Sequence, residues 1–262
     1  MRLFAFEMKS AWKSLLVWNI CIVGFMVFAM SMFPSFADMG SSLDDMMAGF
    51  SPEMVKAFRF DVIDFTNPMD YICYMFQYFL IAMGSLAILT GGNIISKEES
   101  DRTIDFLYAQ PVTRGHIAAS KIAALFAQMT VTAVLFFLGT WGILEIVADE
   151  YDFNGLILLC VGIVLFMFLF ASVGLLLGHF IVKPARRLPF ALGIVFVFFF
   201  LDIMGKISED VEAMLHITPY HWFDGIEVLE NGFPPAYLAV AIAIIVIGPG
   251  LTGILYTRKD FT

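Results

Sequence analysis

SKEESDRTIDFLYAQPVTRGHIAASK, from Ser96 to Lys121, places eight charged side chains within twenty-six residues. On either side the chain is almost wholly apolar: FQYFLIAMGSLAILTGGNII (76–95) precedes it and IAALFAQMTVTAVLFFLGTW (122–141) follows. An uncharged run of about 20 residues, rising ~1.5 Å per residue as a helix, is long enough to cross a ~30 Å hydrocarbon core. The charged stretch therefore joins two membrane spans, and the fold follows from finding the others.

The composition agrees. Sixty per cent of the 262 residues are hydrophobic and 15% are charged, with a mean hydropathy of +0.85, whereas globular chains run near ~45–50% apolar and ~25% charged. Six spans emerge, near 15–33, 71–95, 117–147, 156–182, 188–204 and 237–256. The expectation is an all-α membrane protein forming one membrane domain over 1–262, without internal repeats or a low-complexity linker. Gly248-Pro249-Gly250 predicts a kink in the sixth span. Cys21, Cys73 and Cys160 each fall in an apolar run. An odd count at membrane depth argues against a disulfide framework or a zinc cluster, and reads as small packing residues.

Lysine and arginine set the orientation. With the N-terminus in the cytoplasm, 12 of the 15 basic residues lie inside, and only Lys56, Arg59 and Lys206 lie outside. The same split puts 18 of the 24 acids in the external segments 34–70, 145–152 and 202–230. Both termini are expected in the cytoplasm, and the net charge of −9 reflects the external loops rather than a cationic partner. No nucleic-acid partner is expected. The first fourteen residues, MRLFAFEMKSAWKS, set Arg2, Lys9 and Lys13 on one face and predict an interfacial helix. The apolar run behind them is too long for a cleaved signal peptide.

The charged stretch has its own pattern. Ser96 and Glu99 have the capping-box spacing, so a helix starts there or continues out of the membrane. Lys97 to Ala109 are good helix formers, and Ile104, Leu107 and Tyr108 make an apolar stripe at i, i+3 and i+4. Pro111 stops the helix, Thr113 can cap the next one, and Lys121 would snorkel toward the interface. A passive connector needs no apolar stripe. The stripe must bury against the lipid surface or a docked protein, and Glu98, Glu99, Asp101 and Asp105 disfavour an anionic leaflet.

This segment resembles the cytoplasmic segment of the ABC-2 type permeases, which has an acidic pair, Gly-Thr, a leucine pair, a small residue, Pro-Val-Ser-Arg and a downstream lysine. Glu98, Glu99, Thr103, Leu107, Pro111, Val112, Thr113, Arg114 and Lys121 match it; Arg102 stands where the family has glycine and Thr113 where it has serine. The closing YTRKDF (256–261) and the long external segment before the sixth span are also similar, so the resemblance covers the whole chain. It implies that 96–121 holds a coupling helix seated on a separate ATPase subunit. The chain lacks G-x-x-x-x-G-K-[ST], and its one Gly-Lys, Gly205-Lys206, is followed by Ile. ATP and magnesium would then sit on the partner, with no cofactor bound by this chain. A second permease copy and membrane lipids complete the expected partners in a plasma membrane. The alternative is a membrane anchor or sensor that recruits the ATPase complex without moving a substrate.

Other constellations are weaker. His216, His221, Asp224 and Glu227 could suggest a metal site, but the five-residue histidine spacing does not align on a helix and Pro219 interrupts it. Tyr220, Trp222 and Phe223 would sit at headgroup level, and the resemblance instead implies a partly re-entrant external cap. Asp70, Glu145 and Asp202 lie near the external ends of their spans, so no mid-depth carboxylate marks an ion-coupled antiporter. Asn19, Gln77, Asn93, Gln128 and Ser172 read as interhelical hydrogen-bonding residues. The cargo expected from aromatic-rich spans such as FVFFF (196–200) is hydrophobic or amphipathic.

Overall fold

A computed structural model describes residues 2–39, 49–60, 62–104 and 112–258. Among these, every regular element is helical. The six spanning helices are α1 (Arg2–Ser31, followed by the short α2, Phe33–Met39), α4 (Pro68–Ser100), α5 (Arg114–Val147), α6 (Phe153–Phe180), α7 (Pro184–Ile207) and α10 (Pro235–Arg258). Between them lie α3 (Pro52–Ala57), a 3-10 segment Glu209–Ile217, α8 (Pro219–Trp222) and α9 (Gly225–Asn231). Four of the expected spans fall within one of these helices; the first runs through α1 and on into α2, and the fourth extends two residues past the end of α6 at Phe180. The turns that start the helices are written locally. Asn67 and Asp152 accept backbone N–H groups of the first turns of α4 and α6, and Pro68, Pro184 and Pro235 occupy first-turn positions where no N–H is needed. The helix α10 remains helical through Pro249.

The alternating course gathers both described chain ends, the α4–α5 connection and the α6–α7 connection at one end of the bundle. That end carries Lys97, Arg114, Lys121 and Arg187 and is termed the basic end; the opposite, acidic end carries the long segments before α4 and α10. Among the described residues, no separate helix precedes the first span. Residues 2–14 are the opening turns of the continuous α1, and Glu7 within them is buried, so this stretch packs on the bundle.

The tightest interface joins α4 to α6, and glycine makes it. A Cβ on Gly91 would come within 2.4 Å of the Ala171 carbonyl oxygen, one on Gly174 within 2.3 Å of the Ile88 oxygen, and one on Gly178 within 2.2 Å of the Gly92 oxygen. Helices in lipid gain from close backbone approach because apolar surface alone gives no drive to associate there. Around this seam pack Leu80, Met83, Ala87, Phe166 and Phe170. The partner of α1 is α5, held by a hydrogen bond from Asn19 Nδ2 to Thr132 Oγ1 (3.2 Å).

Candidate functional site

At the basic end the structure redraws the expected coupling segment. Ser96 is not an N-cap. It lies inside α4, and its hydroxyl donates to the Gly92 carbonyl (2.8 Å). The helix that was to continue from Lys97 to Ala109 ends at Ser100. Its last turn closes with Arg102 N–H on the Glu99 carbonyl (3.3 Å) and Thr103 N–H on the Glu98 carbonyl (2.8 Å), the paired bonds of a Schellman stop. Arg102 takes the left-handed conformation this stop requires, φ 56°. That is why glycine suits the position. An L-residue there costs about 1 kcal/mol, so Arg102→Gly should raise stability by roughly 0.5–1 kcal/mol. Thermal unfolding in detergent would register the gain, and an unchanged or lowered midpoint would refute it.

The facing ends of α4 and α5, Ser100–Ile104 and Val112–Arg114, are termed the elbow, and its α5 half follows the sequence reading. Thr113 Oγ1 accepts the His116 N–H (3.3 Å) and caps α5, while Arg114 Nη1 donates to the Thr257 carbonyl at the end of α10 (3.5 Å). Thr103, Val112 and Thr113 are exposed, and Glu99, Ile104 and Arg114 are half-buried. Leu107, Tyr108 and Pro111 lie outside the described residues. The stripe therefore contributes Ile104 alone to the described surface.

Glu98 and Lys121 do not face outward at all. Lys121 is wholly buried rather than snorkelling. Its ammonium donates to Glu98 Oε1 (2.7 Å) and Oε2 (2.9 Å), Glu7 Oε1 (2.8 Å) and the Ile94 carbonyl (2.8 Å). One charge so ties α1, α4 and α5 together just below the elbow. The acid and the lysine of the sequence pattern, 23 residues apart, are thus a structural clasp, and the first acid is unavailable to a docked partner.

A second buried cation sits beside it. Arg187, in the first turn of α7 and 2% exposed, donates to Ser96 Oγ, Asn93 Oδ1 and the carbonyls of Ile181 (3.0 Å) and Val182 (3.1 Å). Its side chain lies across Gly92, where a Cβ would meet its Cδ at 2.7 Å. The sequence reading missed it because arginine at an inner loop satisfies the charge rule whether buried or not.

At the acidic end the residues before α10 fold back into the bundle. Tyr220, Trp222 and Phe223 are buried rather than at headgroup level. The Tyr220 ring lies 5.2 Å from that of Phe166, halfway along α6. The cap is fastened by charge. Asp224 pairs with Arg59 and with Lys206 (3.0 Å), and Lys206 also pairs with Asp202 (2.6 Å), which accepts from Gln77 Nε2 (3.0 Å). Burial alone would raise the Asp224 carboxyl, but Lys206 and Arg59 outweigh it and hold the group at about 2. Arg59 and Lys206, two of the three bases expected outside, thus clamp the cap at the acidic end. Among the described residues no group of three or more histidine, cysteine or acidic side chains could hold a metal ion, and Asp224 serves instead to cap α9 through the Ile226 and Glu227 N–H groups.

Six apolar helices, charged clasps at both ends and an elbow between α4 and α5 define a polytopic membrane protein. The sequence model of the ABC-2 family transporter proteins matches residues 1–261, and the chain belongs to that family. No curated protein matches it.

Proposed function

We propose that the chain is the membrane permease subunit of an ATP-binding cassette exporter, moving a hydrophobic or amphipathic substrate with energy from a separate ATPase subunit. The observation that carries this reading is the elbow. At ~1.5 Å per residue α4 and α5 are each about 50 Å long, well beyond a ~30 Å hydrocarbon core. Their charged ends, Lys97–Ser100 and Arg114, carry the connection out of the membrane. A rigid, clasped pair of helices that ends in exposed residues at Asp101–Thr103 and at Val112 and Thr113 can pass force from a docked motor to the bundle. ABC-2 membrane proteins generally work with ATP-binding subunits, which supports that docking.

In this reading the basic end faces the cytoplasm of a cell whose plasma membrane holds the chain, both termini lie inside, and ATP and magnesium are bound by the partner alone. The chain performs no hydrolysis itself. A second permease copy, identical or paralogous, supplies the second elbow for a two-site motor. Glu99, Thr103, Ile104, Val112, Thr113 and Arg114, together with Leu107, Tyr108 and Pro111, form the docking segment, with Glu98 and Lys121 as its internal brace.

Leu107→Asp tests the proposal. A desolvated, unpaired charge costs several kcal/mol, and even about 3 kcal/mol weakens association more than a hundredfold. The variant should reach the membrane at normal abundance, fail to co-purify an ATPase and lose ATP-dependent transport. Full ATPase recovery and transport would show the segment to be a plain connector.

A further inference from the structure

A cavity of about 340 Å³, with polar and charged side chains among its lining, opens at the basic end between α1, α4, α5 and the start of α7. It runs from Asp101 and Lys97 at the mouth, past Asn93 and Ser14, to Thr90 and Gln128. At ~1.5 Å per residue the α4 wall alone is about 16 Å deep. Polar side chains thus line the cavity well into the thickness of the membrane, where a polar group is costly unless it has a partner.

Three features of its walls share one sign. Arg187 lines the cavity, is buried, and has only neutral partners; among the described residues no carboxylate pairs with it. The α7 helix begins at Pro184 on the same wall with no side-chain cap on its first turn, so the positive end of its macrodipole faces the space. Lys97 adds a cation at the mouth. Of the two lining acids, Glu7 is held by Lys121, and Asp101 is exposed at the rim, where solvent screens it.

At the deep end Gln128 is 1% exposed, and neither its amide nitrogen nor its oxygen has a hydrogen-bond partner. A buried amide without partners is rare in native structures and marks a place where something else supplies them. It lies seven residues beyond Lys121, about 10 Å deeper along α5.

We propose that this cavity binds the phosphate-type head group of an anionic amphiphile drawn from the inner leaflet, with Arg187 and the α7 N-terminus holding the charge and Gln128 a polar substituent below it. The volume lies at the small end of ligand pockets, ~300–1,000 Å³, so it takes a head group and leaves the acyl chains to the bilayer. The inference relies on the proposed function only for the leaflet; the site itself stands on the geometry. Two sources carry such a group, a resident phospholipid and the transported amphiphile.

Binding is measured on the purified full chain in a maltoside detergent, without an ATPase, so its failure leaves the transport reading untouched. The probes are dodecyl phosphate, dodecyltrimethylammonium and inorganic phosphate. Dodecyl phosphate should bind saturably at one per chain, and the cationic amphiphile and the bare ion far more weakly. Arg187→Gln should weaken binding about tenfold or more, and Arg187→Lys less, because a charge-assisted contact is retained. Gln128→Leu should weaken binding about fivefold while leaving thermal stability equal or higher, since it removes an unpartnered polar group. That pair of readouts separates a ligand contact from a structural role. Equal binding of the cationic probe or of inorganic phosphate, or wild-type affinity in both Arg187→Gln and Gln128→Leu, would overturn the proposal. In a complex with the ATPase, a lipid that stays bound through turnover identifies a resident phospholipid, and release on ATP hydrolysis identifies cargo; either supports the site.

Discussion

Lys121→Met should destabilise the bundle by about 3–5 kcal/mol, the usual loss when one partner of a buried ion pair is removed. The methionine nearly matches the lysine stem in volume, so packing is kept and the effect is electrostatic. What remains is the pair of carboxylates, Glu7 and Glu98, that shared the ammonium at 2.7–2.9 Å, now facing each other without a cation. The Ile94 carbonyl loses its side-chain donor too. Adding Glu7→Gln and Glu98→Gln to Lys121→Met should recover most of the loss, since the charges vanish together. Thermal unfolding of the purified chain would measure both steps. A single variant as stable as the parent would mean that the clasp is solvated, and a triple variant no better than the single would mean that the loss is one of shape.

The other large effect is steric. Gly174→Leu should cost about 3 kcal/mol or more, because its first carbon would already lie 2.3 Å from the Ile88 carbonyl oxygen. That atom belongs to a helix backbone and cannot rotate away as a side chain can, so α4 and α6 must part along their whole seam. Gly193→Ala, on a surface where an added Cβ meets nothing within 4 Å, should be neutral or slightly stabilising through helix propensity. Folded yield by size-exclusion chromatography would compare the two, and equal yields would show that the seam is not close-packed.

The six spans could be read from the sequence because membrane length and apolarity are properties of single segments. Thr113 could be read for the same reason, since a cap and its recipient are three residues apart. Pairings between distant residues could not. Lys121 on its own resembles any lysine near a helix end, and its burial depends on Glu7 and Glu98 arriving from two other helices. The left-handed turn at Arg102 is hidden because arginine is a good helix former; the glycine at this place in the pattern that the segment resembles was the one sign of the turn. Tyr220, Trp222 and Phe223 look like interfacial aromatics until Phe166 and Phe170 are seen to offer them a place. Within the segment 96–121, the sequence pattern could not show that its first acid, Glu98, and its lysine, Lys121, turn inward.

The pairing of α4 with α6 and of α1 with α5 has a consequence for how the chain is made. Gly92 and Gly178 are 86 residues apart in the sequence. At synthesis rates of ~5–20 residues per second, α4 leaves the ribosome roughly 4–17 seconds before its glycine face can meet its partner. During that interval the seam must stand in lipid as an individually stable helix, with α5 already beside it but not matched to it. Assembly of this bundle therefore cannot proceed hairpin by hairpin, and slowing translation across 100–170 should lengthen the time for which an unpaired α4 is open to wrong partners.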